Sequence, residues 1–310
     1  MRNTSVFIFD EIFESIVSSN QILELRELGA DLHIINRKCR IADYKPIKDS
    51  TTQKILCINP DFVDWHFAAD DYKDISRLEV IISSSDNISW LDTRYADKHD
   101  VKYIALENLT TEYSAVAEYA ATIMMSLARN IPMLSRKNFP LDYAHDFVNY
   151  QGMDIASKTA GIIGLGNIGG AIARLCDGLG MKVTYWSRNK KSDRKYGYRE
   201  IDDLLKEADI IFPTLKPNSE TKLMLPNERL ELLKPDAIVV SVVGGLIDND
   251  YLVRRVAEKR LFGFGFGADP GTFSDYSGNL WAIPDYSWAT KNNMRASYEQ
   301  FIEKIKEAIK

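Results

Sequence analysis

The sequence has few of the residues that build metal centres and disulfide frameworks. Its 310 residues include only three cysteines and four histidines. The cysteines, Cys39, Cys57 and Cys176, are odd in number and lack paired spacing, and the histidines are scattered along the chain. A metal site therefore has no support in the sequence, and we expect the cysteines to be reduced and mostly buried.

The chain also lacks a surplus of positive charge. Its 39 lysines and arginines are outnumbered by 44 aspartates and glutamates, which gives a formal net charge of −5. Proteins that bind nucleic acids or anionic membrane surfaces usually carry a basic surplus. We therefore expect neither kind of partner.

Long apolar segments are absent as well. No apolar run approaches the ~18–20 residues that a membrane span needs. Near the N-terminus, only Val6 to Phe9 form an apolar run before Asp10, which is too short for the core of a signal peptide. The composition, 45% hydrophobic and 27% charged, is that of an ordinary globular protein. We expect a cytoplasmic protein with two domains.

Short apolar segments alternate twice with helical segments, which is typical of parallel sheets with crossover helices. The sequence therefore predicts an α/β fold with two doubly wound parallel-sheet, Rossmann-like domains. Predicted strands of the first half are 5–9, 32–35, 54–58, 80–83 and 101–105, with helices near 11–28 and 89–98. Predicted strands of the second half are 160–164, 182–187, 209–213, 237–243 and 261–266, with helices near 167–179, 201–207, 226–233 and 248–259.

A long helix is predicted between the halves, from Ser114 to Arg129. Ser114 would cap it, and Glu118 would lie in its first turns, where the helix dipole favours an acid. Because the helix is apolar on more than one face, it is either packed between domains or against a second subunit, or an ordinary core helix. Residues 130–157 are predicted to form an irregular arm, and 293–310 a surface helix.

The most informative segment is a glycine turn between a predicted strand and a predicted helix. In Gly164-Leu-Gly166-Asn-Ile-Gly169, the first glycine permits a tight turn, the second lets the backbone approach a pyrophosphate, and the third packs the helix against the strand. The free amides at the helix start face the negative charge. The pattern predicts a dinucleotide site; the alternative is a glycine-rich turn that binds nothing.

The end of the second strand of this half predicts which dinucleotide is bound. An NAD site usually has a carboxylate here, whereas this chain has Ser187 and Arg188, followed by Lys190 and Lys191. A hydroxyl and a guanidinium can bind the 2′-phosphate of NADP. We therefore expect NADP(H) to be preferred, with NAD(H) possible. The alternative is that the basic run is only a solvated turn.

Several segments carry a family resemblance that extends from about Ile75 to Ser297. Ser114-Ala-Val-Ala-Glu118 with Leu127-Ala-Arg129, the stretch 158–188, the loop 215–221 and the helix and strand of 233–241 contribute to it. Together they resemble the D-isomer-specific 2-hydroxyacid dehydrogenases.

The resemblance implies a cofactor domain inserted into a discontinuous substrate domain. We place the substrate domain at 1–107 and 289–310 and the NAD(P)-binding domain at 108–288. It also implies a homodimer formed through the central helix and the arm after it, and a small-molecule substrate. The candidate cofactor-binding residues are Gly164, Gly166, Asn167, Ile168, Gly169, Ser187, Arg188, Lys190, Thr214, Thr221, Val242 and Val243.

The three residues on which the family's chemistry rests are altered. The family's arginine, which binds a substrate carboxylate, precedes a Gly-Gly pair, and here Val243 precedes Gly244. The family's histidine follows a proline, and an ungapped count from Pro284 places Lys291 at that position. No histidine occurs after His145.

The family's glutamate has more than one candidate counterpart in this chain. Asp269 is preferred because a proline follows it, while an ungapped count gives Thr272, and Asp275 is a second candidate. Reduction of a carbonyl needs a proton donor near the oxygen, and a lysine ammonium can serve. Lys291 is thus the candidate donor, with Asp269 as its partner; the alternative is an exposed lysine at the start of the last helix.

Loss of the arginine makes a simple 2-oxoacid substrate less favoured than a neutral ketone, aldehyde or imine. Lys291, Arg295 or Arg136 could supply a replacement cation. The sequence favours an NADPH-dependent reductase with altered catalytic residues. The alternative is a catalytically degenerate NADP(H)-binding regulatory protein, and an ordinary 2-hydroxyacid dehydrogenase comes third.

Overall fold

A computed structural model describes residues 4–37, 39–73, 75–107, 109–136, 148, 150–191, 195–268, 278–284 and 286–310. The chain divides into two compact units. Unit 1 comprises Met1–Thr111 and Thr290–Lys310, and unit 2 comprises Glu112–Ala289, so unit 2 is inserted between the two segments of unit 1. The sequence places the corresponding junctions at 107/108 and 288/289.

In chain order, the strands are β1 Thr4–Phe9, β2 Asp31–Ile35, β3 Gln53–Ile58, β4 Leu78–Ser83, β5 Lys102–Ile104, β6 Thr159–Ile163, β7 Lys182–Trp186, β8 Gly197–Tyr198, β9 Ile210–Pro213, β10 Ile238–Ser241, β11 Gly263–Gly267 and β12 Leu280–Ile283. The described α-helices are α1 Phe13–Ile16, α2 Ser19–Glu27, α3 Ala69–Tyr72, α4 Thr93–Lys98, α5 Thr110–Ala128, α6 Ile131–Arg136, α7 Asn167–Gly178, α8 Ile201–Glu207, α9 Asn227–Leu230, α10 Asn249–Ala257 and α11 Lys291–Ile309. Short 3₁₀ helices cover Ile41–Asp43, Lys45–Lys48 and Pro60–Val63.

Unit 1 contains a five-stranded parallel sheet in the order β2-β1-β3-β4-β5. Alternate residues of a strand point to opposite faces, so Val6 and Ile8 of β1 enter one hydrophobic core while Phe7 and Phe9 enter the other. Helix α11 covers the first of these faces and buries Phe301 there. A parallel sheet covered on both faces explains the nearly continuous apolar strands.

Unit 2 contains a seven-stranded parallel sheet in the order β12-β11-β10-β9-β6-β7-β8. The chain passes from β6 to β7 and β8 on one side, then returns to β9 on the other side of β6. The strand order therefore reverses between β6 and β9. Doubly wound sheets bind their ligands at the carboxyl ends of the strands at such a point. The predicted α/β fold with two doubly wound parallel sheets is confirmed.

Some predicted elements are wrong in their bounds. The helix predicted near 11–28 is two helices, because Val17 is extended and Ser18 starts α2 with a capping box that involves Gln21. The helix predicted near 89–98 begins at Thr93, after the side chain of Asp92 caps it. The short edge strands β8 and β12 were not predicted from the sequence.

The central helix also starts earlier than predicted. Helix α5 begins at Thr110, so Ser114 lies inside the helix and does not cap it, and Glu118 lies in the third turn. Within the predicted irregular arm, the described residues include helix α6. The last helix begins at Lys291 because the side chain of Thr290 accepts a hydrogen bond from Asn293 N.

Candidate cofactor site

The carboxyl end of β6 leads directly into the glycine turn. Gly164 has φ +106°, and a Cβ at this position would lie 2.9 Å from Cδ2 of Leu215. Both the backbone conformation and the space require glycine here. Gly164 N donates to the carbonyl oxygen of Trp186 at 2.9 Å, which ties the turn to the end of β7.

The third glycine lies beneath the turn. A Cβ on Gly169 would overlap the carbonyl oxygen of Gly164 and lie 2.7 Å from Oγ1 of Thr214. The hydroxyl of Thr214 donates to that same carbonyl oxygen at 2.7 Å. Thr214 is buried at the end of β9, so a side chain from the neighbouring strand holds the turn closed from below.

The middle glycine has open space in front of it. A Cβ on Gly166 would meet no atom within 4 Å. Gly166 precedes α7 and provides no side chain to cap it, so the first amides of the helix are left for a ligand. Asn167, the first residue of α7, is exposed, and Ile168 packs against the core. This geometry fits the approach of a pyrophosphate.

The predicted phosphate-binding residues at the end of β7 have partners within the chain. The hydroxyl of Ser187 donates to the carbonyl oxygen of Asn189 at 2.7 Å. Arg188 Nη2 donates to Oε2 of Glu220 at 2.6 Å, and both side chains are 69% exposed. Exposed ion pairs contribute little free energy, so Arg188 can exchange Glu220 for a phosphate. Glu220 was not foreseen from the sequence.

Lys190 is directed elsewhere, with Nζ 5.5 Å from the centre of the Tyr198 ring. Thr221 has a local structural contact of its own. It is buried, and its hydroxyl donates to the carbonyl oxygen of Lys216 at 2.8 Å and accepts from Asn218 N at 2.9 Å. Thr221 therefore holds the shape of the loop after β9.

A cavity of about 790 Å³ lies at the carboxyl ends of β10 and β11. Val242 and Val243 lie on its wall, and Ser241 Oγ donates to the carbonyl oxygen of Val243 at 3.0 Å. Asp248, which caps α10, and Asp250 bring carboxylates to it. Its described lining residues are Leu223, Ser241, Val242, Val243, Gly244, Ile247, Asp248, Asn249, Asp250, Phe266, Gly267, Ala268 and Pro284. None of these is a lysine or arginine that could bind a carboxylate.

The catalytic candidates belong to different parts of the chain. Lys291 is the exposed first residue of α11 in unit 1. Asp269, together with the alternatives Thr272 and Asp275, lies outside the described residues. Of the possible replacement cations, Arg295 has Nε 3.9 Å from Oε1 of Glu299, and Arg136 donates to the carbonyl oxygens of Pro132 and Gly278, both at 2.7 Å.

A second pocket of unit 2 lies beside the glycine turn, and it was not predicted from the sequence. It has a volume of about 470 Å³ and is lined by Leu165, Gly166, Asn167, Gly170, Arg174, Lys191, Lys195 and Tyr196. The helical spacing of 167, 170 and 174 could have indicated that they share one face. Lys195 and Tyr196 approach that face from a distant part of the sequence.

Unit 2 and several known proteins are similar in sequence. Residues 121–271 match the model of the D-isomer specific 2-hydroxyacid dehydrogenase NAD-binding domain. A glyoxylate reductase of Thermococcus kodakarensis is 28% identical over 199 residues, covering 61% of this chain and 59% of the relative. A glycerate dehydrogenase of Methylorubrum extorquens is 25% identical over 250 residues, covering 76% and 78%. The chain spans about three fifths of the length of the glyoxylate reductases it matches.

Solved structures share the fold over nearly the whole chain. An acyclic imino acid reductase in complex with NADPH and D-Arg has a TM-score of 0.80 at 22% identity, covering 98% of this chain and 96% of that one. A glyoxylate reductase from Paecilomyes thermophila has a TM-score of 0.81 at 18% identity, covering 100% and 96%. In the described parts of this chain, no helix is long and apolar enough to cross a membrane. With its glycine turn and its match to the family model over residues 121–271, unit 2 contains an NAD-binding domain of the D-isomer-specific 2-hydroxyacid dehydrogenase family.

Proposed function

We propose that this chain is an NADPH-dependent reductase that acts on a C=O or C=N bond. The observation that carries the proposal is the uncapped start of α7 at Gly166, next to a strand end that bears Ser187 and Arg188. The first feature suits a pyrophosphate, and the second lacks the carboxylate that would repel a 2′-phosphate. NADPH is thus the favoured cofactor, with NADH possible.

The described lining of the 790 Å³ cavity contains no arginine that could bind a carboxylate, which supports a neutral or imine substrate. Val243 is half-buried on the wall of the 790 Å³ cavity, where it offers no hydrogen bond, and the described lining contains Asp248 and Asp250 without a cation. Carboxylates disfavour an anionic substrate and favour a neutral or protonated one. The imino acid reductase that shares the fold was solved with NADPH and D-Arg, which supports including imines among the candidates.

When bound, NADPH supplies a hydride to the carbon of the C=O or C=N bond. In our proposal, the Lys291 ammonium donates a proton to the oxygen or nitrogen and Asp269 orients it. A helix start is an unfavourable position for a cation, because the positive end of the helix dipole lies there. Helix stability therefore does not account for Lys291 at the first position of α11.

Turnover tests the proposal directly. NADPH oxidation is followed by near-ultraviolet absorbance with a panel of ketones, aldehydes, 2-oxoacids and imines generated from ketones and amines. We expect activity on at least one neutral carbonyl or imine, and a loss of at least a hundredfold in kcat for Lys291→Ala. Lys310→Ala, an exposed lysine at the other end of α11, is the matched control. Unchanged kcat in Lys291→Ala would remove the role assigned to that residue.

A second candidate, a regulatory protein that binds NADP(H) without turnover, is favoured by one observation. By the count along the sequence, Val243 and Lys291 take the positions of the family's arginine and histidine, which would keep the binding residues and lose the usual chemistry. Tight NADPH binding with no oxidation across the whole panel would support this function over the reductase.

We also propose a homodimer. Helices α5 and α6, near the start of unit 2, expose two large apolar side chains. These are Met125 on α5 and Ile131 on α6, each 47% accessible. Exposed apolar side chains on neighbouring helices are typical of a surface covered by a partner. Light scattering coupled to gel filtration should give twice the chain mass of 35.3 kDa. A monomer at micromolar concentration would contradict the assignment.

A further inference from the structure

We propose that the pocket beside the glycine turn is the site of the 2′-phosphate of NADPH, with Arg174 as its main specificity determinant. We call it the α7 pocket; its polar and glycine residues are Gly166, Asn167, Gly170, Arg174, Lys191, Lys195 and Tyr196. The inference rests on the proposed NADPH dependence, and it adds Arg174, Lys195 and Tyr196, which the sequence did not indicate.

One wall of the α7 pocket is a single face of helix α7. Asn167, Gly170 and Arg174 are spaced three and four residues apart, so these positions lie along one stripe of the helix surface. A Cβ on Gly170 would lie 3.8 Å from Nη1 of Arg174. The guanidinium therefore folds back towards the start of the helix, and it has no hydrogen bond or ion pair with any described residue.

The opposite wall includes Lys191, Lys195 and Tyr196. The buried Tyr185 hydroxyl accepts a hydrogen bond from Lys191 N at 3.0 Å, which fixes the backbone of that lysine. Lys195 Nζ lies 2.8 Å from Oδ2 of Asp177 and 5.3 Å from the centre of the Tyr196 ring. The hydrogen bond with Asp177 raises the pKa of Lys195. The Tyr196 hydroxyl is shielded from solvent.

The charge of this pocket matches a phosphate monoester. Among the described lining residues, Arg174, Lys191 and Lys195 supply three positive charges, of which Asp177 balances one. A phosphate monoester carries a charge of about −1.5 to −2 at pH 7, so two free cations suit it. Arg188, the residue expected to bind the phosphate, is instead paired with Glu220. Arg174 and Lys191 can therefore bind the phosphate without giving up an ion pair, whereas Arg188 must first exchange Glu220.

The pocket lies beside the turn, so it can bind a phosphate group other than the pyrophosphate. Gly166 and Asn167 belong both to the turn and to the pocket rim, so a nucleotide seated on the turn has the pocket next to it. A pyrophosphate is bound by helix amides and needs no arginine side chain. The guanidinium fork and the two lysines suit an additional phosphate that only NADP carries.

Titration of the full-length protein with matched nucleotides tests the inference. Dissociation constants are measured for NADPH, NADH, 2′,5′-ADP and 5′-AMP in the unmodified protein, in Arg174→Gln and in Lys206→Gln. Lys206 is an exposed lysine on α8, whose apolar residues pack on the opposite face of the sheet from those of α7. Glutamine and arginine have similar helix propensity, so Arg174→Gln should fold normally, which circular dichroism and Tm verify.

We expect Arg174→Gln to weaken NADPH and 2′,5′-ADP by about tenfold to a hundredfold, the loss typical of a hydrogen bond to a charged group. NADH and 5′-AMP should change less than twofold, and Lys206→Gln should leave all four unchanged. Inorganic phosphate should compete with 2′,5′-ADP more effectively than with 5′-AMP.

Two other results overturn the inference while leaving the proposed NADPH dependence intact. One is a preference for NADPH that is unchanged in Arg174→Gln. The other is an equal loss for NADPH and NADH, which would mean that Arg174 supports the shared part of the site. If the unmodified protein binds NADH as tightly as NADPH, the NADPH dependence itself fails.

Discussion

Substitutions of single glycines can distinguish the glycine that the turn needs for packing from the glycine that it needs for binding the cofactor. In Gly169→Ala, the new methyl would overlap the Gly164 carbonyl oxygen and lie 2.7 Å from Thr214 Oγ1 and 3.0 Å from Ile162 Cγ2. A carbonyl oxygen and a buried hydroxyl cannot move aside without breaking the hydrogen bond between them. The turn must therefore open, and helix α7 must shift away from β6.

The loss of stability in Gly169→Ala can be calculated from this overpacking. An extra methyl in a well-packed site costs about 1–3 kcal/mol, against a total stability of about 5–15 kcal/mol. For a domain the size of unit 2, this lowers Tm by roughly 2–12 °C. Because the amides of α7 move with the turn, NADPH affinity should fall by at least about tenfold as well.

Two matched substitutions complete the experiment. A methyl at Gly166 or at Gly178 would meet no atom within 4 Å. Gly166→Ala should keep the Tm of the cofactor-free protein, yet its methyl would fill the space that the pyrophosphate needs, so NADPH binding should be lost. Gly178→Ala, at the far end of α7, should leave NADPH affinity unchanged and should not lower the Tm.

Differential scanning fluorimetry with and without NADPH measures both quantities on the same samples. The reasoning is refuted if Gly169→Ala keeps the Tm and NADPH affinity of the unmodified protein. It is refuted equally if Gly166→Ala binds NADPH normally, because the open space at that glycine would then have no role in binding.

Three further predictions concern charges. Glu220→Gln should tighten NADPH binding about threefold or more in titrations, since it frees Arg188 and removes a carboxylate that repels phosphate; weaker binding would mean that Glu220 contacts the cofactor. Val243→Arg should raise kcat/KM for 2-oxoacids relative to neutral carbonyls, because it supplies a guanidinium at the cavity wall, and an unchanged ratio would place the substrate elsewhere. Asp209→Asn should cost about 1–3 kcal/mol at pH 7 in urea unfolding. Burial raises the pKa of Asp209, but hydrogen bonds from Thr159 N and Lys234 outweigh it, so the pKa is below its usual 3.8. Such a group stabilises the fold above pH 3.8 and loses this effect as the pH falls through its folded pKa, so the cost of the substitution should shrink there; a cost independent of pH would exclude the charge as its cause.

The parts of the site that the sequence predicted are those set by neighbouring residues. The spacing of Gly164, Gly166 and Gly169 between an apolar strand and an Ala-rich helix is a local pattern, and its physical reasons hold in the structure. The strand positions could also be predicted, because an apolar run is likewise a pattern of neighbouring residues. The break between helices α1 and α2 depends on a single hydrogen-bonded cap at Ser18. An apolar pattern that extends over both helices does not reveal such a cap.

Contacts between distant segments could not be predicted in this way. Thr214 is fifty residues from the Gly164 carbonyl that its hydroxyl binds, and Glu220 is thirty-two from Arg188. The sequence assigned the phosphate to the residues after β7 because no pattern showed which of them were already paired. Arg174 was overlooked because an exposed arginine on a helix is usually only solvated, and its role depends on the opposite wall of the pocket.

The most direct test of the account is the pair of dissociation constants of the unmodified protein for NADPH and NADH, measured by titration under one set of salt conditions. The glycine turn, the absence of a carboxylate at Ser187 and the cations of the α7 pocket together predict that NADPH binds at least about tenfold more tightly. Equal affinities, or tighter binding of NADH, would contradict the account.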